Sequence, residues 1–168
     1  MYRISALTGA LLFAATFTLA GCSDPAASLG PSTSAGAPSL EVAKANLEVI
    51  LRGDGFGLVK FRQPKDDETV VFLDTWVRSL TPNTSYLLQR AVDTTVDGSC
   101  TSTDWLTLGR GLDPQPITTD DQGSGREALF RILPPTPGAA FDIHFRVIDA
   151  VTQAVVLESD CYQFRISP

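Results

Sequence analysis

The 168 residues contain one imidazole, His144, and Asp142 stands two positions before it in "AFDIHFRVIDA". Residues at that spacing share one face of a strand. The imidazole could therefore act as a general base oriented by the carboxylate, with a serine as nucleophile. The same row reads equally as the solvent-facing side of a strand whose Phe141, Ile143, Phe145 and Val147 look inward. No G-x-S-x-G stretch presents a serine in the manner of the α/β-hydrolases. A second cluster, "TTDDQGSGRE", gathers Asp120, Asp121 and Glu127 around two glycines. Carboxylates on a loop suit calcium, which makes Asp120 and Asp121 candidate ligands. Their spacing departs from D-x-[DN]-x-[DN]-G, and Asp and Gly are also what a tight turn demands. Neither a P-loop nor a dinucleotide fingerprint is present, so no cofactor is expected and no catalytic residue is assigned.

The elements that would position these groups are strands. "NLEVILRG" alternates, with Leu47, Val49 and Leu51 on one side and Glu48, Ile50 and Arg52 on the other. "RGDGFG" follows as a hairpin turn. Then come "GLVKFRQ", "ETVVFLDTWVRSL", "SYLLQRAVD", "DWLTLG", "EALFRIL", "AFDIHFRVIDA" and "AVVLESDCYQFRI". Each is short, rich in β-branched and aromatic residues, and bounded by Gly, Pro, Asn or Asp. No stretch after residue 52 sustains a helical apolar period. About eight strands predict an all-β, antiparallel Greek-key β-sandwich over residues 46–168. Trp76 alternates with Phe72 and fits a core row. Trp105, which follows the Cys100 loop, is expected to pack on a disulfide. If the domain has a recognition loop, it is expected in one of two long connections, "GRGLDPQPITTDD" or "DTTVDGSCTSTDW", because loops on rigid sheets often carry binding.

The chain opens differently. Arg3 supplies a short positive region, "ALTGALLFAATFTL" an apolar one, and Ala20 and Gly21 a small-residue end. That is the layout of a secretory signal, too short and too rich in Thr and Gly for a comfortable spanning helix. The tetrapeptide Leu19-Ala20-Gly21-Cys22 resembles the lipobox of bacterial lipoproteins. The resemblance implies removal of residues 1–21, acylation of the Cys22 thiol with diacylglycerol, and usually a third chain on the new amino terminus. Several acyl chains, at about 0.8 kcal/mol per buried CH₂, anchor a protein far better than one. Ser23, where an aspartate would tend to retain such a protein at the inner membrane, points to the outer membrane in a Gram-negative host. Residues 22–45 then form the lipidated amino terminus and a tether. Its Ser23–Leu40 portion, nearly all Ser, Ala, Pro and Gly, reaches roughly 25 Å as a flexible coil.

With Cys22 taken by lipid, Cys100 and Cys161 have one pairing open to them, and export to an oxidising compartment makes a disulfide the default. Free thiols and a metal pair are the alternatives, the latter a poor zinc site without a nearby histidine. "SLTPNTSYLLQRAV" resembles the L-x-P-x-T-x-Y stretch of fibronectin type III domains, with Leu80, Pro82, Thr84 and Tyr86 in the matching positions. By that resemblance the Tyr86 hydroxyl bonds back to the chain at a corner. Some eighty residues follow, however, where that family's domain would be ending. Leu80 and Pro82, Cys100, Asp120–Gly123 and Cys161 together resemble the superoxide-dismutase-like and chordin-type sandwiches, in which a disulfide joins the loop to a late strand. A copper/zinc site needs several imidazoles, and this chain has one. The dismutase activity does not carry over.

Function is bounded more than it is given. The formal charge is −6, with 13 Lys+Arg against 19 Asp+Glu and no basic cluster, which disfavours nucleic acid as a partner. The reading is a lipoprotein of the bacterial cell envelope, held to the membrane by its lipid anchor, facing outside the cytoplasm, and carrying a non-catalytic binding or structural module. Its partner would be an envelope protein or carbohydrate. The alternatives are an envelope hydrolase using Asp142 and His144, and a calcium-stabilised adhesin-like domain.

Overall fold

A computed structural model describes residues 46–64, 69–133, 136 and 138–166. The signal-like stretch, Cys22 and the tether lie outside the described residues. No helix occurs among the described residues. The strands are β1 (Asn46–Gly53), β2 (Phe56–Arg62), β3 (Val70–Arg78), β4 (Ser85–Asp93), β5 (Leu106–Thr107), β6 (Gly109–Arg110), β7 (Asp113–Pro114), β8 (Ile117–Thr118), β9 (Gly125–Ile132), β10 (Ala140–Asp149), β11 (Val155–Ser159) and β12 (Tyr162–Arg165). They form one sheet, in the order β5-β4-β10-β11-β1-β2-β3-β9-β6-β7, with β12 paired to β10 and β8 to β4.

The period-2 alternation of the sequence sets the two faces. Val49 and Leu51 of β1, Val59 and Phe61 of β2, Val71, Leu73 and Val77 of β3, and Ile143, Phe145 and Val147 of β10 are all core residues. The sheet curls on itself so that these inner rows meet. Phe61 of β2 lies edge-on to Phe145 of β10 at 6.1 Å and to Phe164 of β12 at 4.5 Å, although β11 and β1 stand between β2 and β10 in the sheet. Such edge-to-face pairs add about 0.5–1.5 kcal/mol beyond their burial. At Val147–Ile148 a register shift interrupts the β10–β11 ladder. It slips the alternation, so two consecutive side chains are buried there.

The strand count differs from the expected eight or so. Eight strands have four or more residues, and four more, β5 to β8, have two each. β5 lies in "DWLTLG", expected as a longer strand, and β6 to β8 come from the long Pro- and Gly-punctuated connection. Leu106–Arg110 pairs with β4 at its start and with β9 at its end, and nearly closes the curled sheet into a barrel. The β6–β9 contact is parallel, which makes the sheet mixed rather than wholly antiparallel. A connection that fills the gap between two sheet edges satisfies backbone groups on both, a requirement that leaves no hydrophobic pattern to read.

The Leu80–Tyr86 turn is fixed from several sides. Tyr86 is buried and its hydroxyl accepts from the Thr81 N–H at 3.1 Å. Thr119, also buried, donates its hydroxyl to the Thr81 carbonyl at 2.7 Å and accepts from the Thr84 N–H at 3.0 Å. The Asp120–Gly123 turn packs here too. Gly123 has φ +75°, and a Cβ on it would stand 2.1 Å from the Leu80 carbonyl oxygen, so both conformation and space require glycine.

Candidate functional site

The two outer faces of the curled sheet differ. The outer face of β4 and β10 is roofed by the connection from β4 to β5. Asp142, Asp93, His144 and the disulfide hold that roof down. Asp142 is fully buried, and its Oδ2 accepts the Asp97 N–H at 2.9 Å and the Gly98 N–H at 2.6 Å. Asp93 accepts the Thr101 and Ser102 N–H groups, each at 3.1 Å, and the Thr101 hydroxyl at 3.0 Å. Burial works against the Asp93 carboxylate, but these hydrogen bonds and the nearby His144 outweigh it and hold the carboxyl below its usual range. Cys100 and Cys161 are disulfide-bonded and tie the roof to the start of β12. His144 Nε2 lies 3.1 Å from the Ser102 carbonyl oxygen. A carbonyl can only accept, so the proton sits on Nε2.

The row Asp142–His144–Arg146 is thus roofed, not solvent-facing, and Asp142 Oδ2 and His144 Nε2 are engaged by the roof. Among the described residues no hydrogen bond joins Asp142 to His144, and Ser102 offers its carbonyl rather than its hydroxyl. Trp105 completes the stack. The Arg146 guanidinium stands 4.0 Å over its ring, and the His144 ring is 4.6 Å from it. Arg146 Nε donates in turn to Gln89 Oε1 at 2.7 Å.

The candidate calcium ligands belong to the Asp120–Gly123 turn. Asp120 Oδ1 accepts the N–H groups of Gln122 and Ser124, each at 2.9 Å. Asp121 is exposed, and Glu127 pairs with Arg110. No group of three or more metal-type side chains occurs among the described residues.

The outer face of β1, β2, β3 and β9 carries no such roof among the described residues. Cross-strand register builds it in rows: Ile50, Leu58, Trp76 and Arg126; Glu48, Lys60, Asp74 and Ala128; Asn46, Arg62, Phe72 and Phe130. Trp76 and Phe72 are 37% and 41% exposed. The core row of β3 is Val71–Leu73–Thr75–Val77, so the placement of Trp76 and Phe72 in the core is corrected. Their neighbours on the same row, Asp74 and Arg78, were the available signal: a row holding two charges faces water. Lys60 pairs with Glu48 and Arg62 with Asp74. Arg126 and Arg78 instead lie over aromatic rings, Arg126 over Trp76 and Arg78 over Phe56, each at 4.6 Å. Both stacks line one open groove of about 530 Å³, together with Leu58, Asp120 and Ser124.

This groove can do recognition chemistry. Its aromatic and aliphatic walls suit the C–H face of a ring. Its guanidiniums, unpaired with carboxylates among the described residues and preordered by stacking, suit an anion. The chain matches no protein-family model, no curated protein and no solved structure.

Proposed function

We propose that this chain is a lipid-anchored protein of the bacterial cell envelope whose β-domain is a non-catalytic module that binds an anionic carbohydrate along the groove lined by Trp76 and Phe56. Cys22 carries the acyl chains, and the residues up to 45 tether the domain near the membrane, outside the cytoplasm. The domain is read as a Greek-key sandwich of superoxide-dismutase-like or fibronectin-like type, one half built on β1, β2, β3 and β9 and the other on β4, β10, β11 and β12. The facing Phe61, Phe145 and Phe164 support that division.

One observation carries the binding assignment: two arginines with no carboxylate partner among the described residues are stacked on two partly exposed aromatic rings that line one groove. A sugar ring stacks its C–H face on Trp76 or Phe56, and an acidic substituent meets Arg78 or Arg126. Calorimetry with a purified uronic-acid polysaccharide tests the assignment. Trp76→Ala is expected to abolish the heat of binding without moving the thermal midpoint of unfolding. Retention of binding by that variant rejects the groove. Intact mass of membrane-extracted protein, before and after reduction, separately reports the acyl chains and the disulfide.

A further inference from the structure

Two arginines interrupt the apolar inner rows. On β4 the core-facing series is Tyr86, Leu88, Arg90 and Val92, and Arg90 stands opposite the buried Phe145 in the β4–β10 ladder. On β9 Arg131 follows Leu129 on the inner row and stands opposite the buried Val71. Cations on rows that face hydrocarbon lose hydration, and two together repel. Burial, and then the positive charge of Arg131, push the Arg90 guanidinium below its usual range.

Neither arginine enters an ion pair among the described residues, where the three pairs engage Lys60, Arg62 and Arg110. Arg131 Nη1 donates to the Gly111 carbonyl at 3.2 Å. Both side chains line one cavity of about 220 Å³. Among the described residues its wall is hydrocarbon apart from these arginines and Thr136, and includes Leu73, Leu108, Leu133 and Phe141. For scale, an apolar cavity of about 150 Å³ takes up benzene.

We propose that this cavity binds an anion bearing a short apolar tail, the anion bridging Arg90 and Arg131 and the tail lying among Leu73, Leu108, Leu133 and Phe141. A bare anion would leave the apolar wall uncovered, and a neutral hydrocarbon would leave the guanidiniums without a counter-charge. The combination satisfies both, and the planar guanidinium fork suits a carboxylate or phosphate. A free medium-chain carboxylate and the head and first methylenes of an anionic lipid present the same chemistry. The site lies on the inner face of the sheet and does not depend on the anchor or on the outer groove.

The test uses the chain carrying Cys22→Ser, so that no acyl group of its own competes. Octanoate and lysophosphatidylglycerol, the latter below its micellar concentration, are titrated by calorimetry, with acetate and octanol as controls. One-to-one binding of either tailed anion, at least about tenfold tighter than both controls, is the expected result, since acetate lacks the methylenes that the apolar wall would bury and octanol lacks the charge that the guanidiniums would bind. Octanoate alone would identify a free acid as the ligand, and the lysolipid a membrane lipid. Arg90→Met is expected to weaken binding roughly 10- to 100-fold and to raise the thermal midpoint of the free protein, because a buried repulsion is removed. Leu108→Ala enlarges the cavity, and should leave acetate unaffected while changing tail-length preference toward longer acids. Equal binding of octanoate and acetate, failure of both tailed anions to bind, or an Arg90→Met variant that binds as the parent does would each overturn the proposal.

Discussion

Asp142 shows how a residue that looks catalytic in a sequence serves a structural end. Its Oδ2 takes two backbone N–H groups from the roof, while its Oδ1 is buried without a partner. Asp142→Ala would leave both amide donors without their acceptor, and denaturant unfolding should record a loss of about 2–3 kcal/mol. Asp142→Asn keeps one oxygen for the same two donors and turns its amide toward the unpartnered side. Its cost should stay below about 1 kcal/mol. Equal losses for the two variants would mean that charge, not acceptance of the two amides, is what the roof requires. Tyr86 offers a second measurement of this kind. Tyr86→Phe removes only the oxygen that receives the Thr81 N–H, and unfolding should show a loss of about 1–2 kcal/mol. The Tyr86 position was legible because L-x-P-x-T-x-Y fixes a local geometry. The fate of Asp142 was not, because it depends on a roof contributed by residues more than forty positions away.

At the scale of elements, alternation carried most of the information. The inner rows of β1, β2 and β10 can be read off "NLEVILRG", "GLVKFRQ" and "AFDIHFRV" because one face is apolar; in β3 both faces carry large apolar side chains, and alternation alone does not choose between them. Trp76 and Phe72 alternate as a core row would, but Asp74 and Arg78 share that row and turn it to water. Of the two-residue strands only β5, inside "DWLTLG", was legible; β7 and β8 carry no alternation, since their pairing depends on a gap between distant sheet edges. The roof was legible only through its cysteines. Cys100 and Cys161 close a loop of 61 residues, which in the chain-entropy picture restricts the unfolded state by about 4 kcal/mol. Cys100→Ser together with Cys161→Ser should lower unfolding free energy by up to about that amount, and limited proteolysis should then cut first between residues 94 and 105. Cleavage elsewhere would show that Asp93 and Asp142 hold the roof without help. Two aspartates, Asp93 and Asp149, also set a pH dependence. The Asp93 carboxyl is held below its usual range despite burial. That of Asp149 is lowered by the N–H groups of Thr152 and Val151 in the β10–β11 turn. A carboxyl lowered in the folded state contributes stability above its unfolded value, near 3.9 for aspartate, and loses it as pH falls through the folded value. Stability should therefore drop below about pH 4, and more gently in an Asp93→Asn, Asp149→Asn variant. A parallel acid profile for that variant would rule out these two groups as the source.

For the whole molecule the distribution of charge decides more than its sum. The chain is net −6, which at long range repels an acidic polymer. The outer face of β1, β2, β3 and β9 departs from that average, with Arg52, Lys60, Arg62, Arg78 and Arg126 against Glu48 and Asp74 on its rows. A polyanion approaching at random meets repulsion, and one aligned with this face meets attraction only within about a Debye length, roughly 10 Å at 0.1 M salt. Salt thus acts on two opposed terms. It screens the distant repulsion first, because that acts over longer separations, and the groove contacts only at higher concentration. Affinity for a uronic-acid polysaccharide should accordingly pass through a maximum, or a plateau, before falling as salt rises. A molecule with a uniformly basic surface would show a steady decline instead. Arg126→Glu lowers the net charge of these rows from +3 to +1 and leaves the repulsion, so its affinity should be lower than the parent's and its maximum should move to higher salt. A steady decline in the parent, or an unchanged profile in Arg126→Glu, would remove this face as the contact surface even if the polysaccharide binds elsewhere.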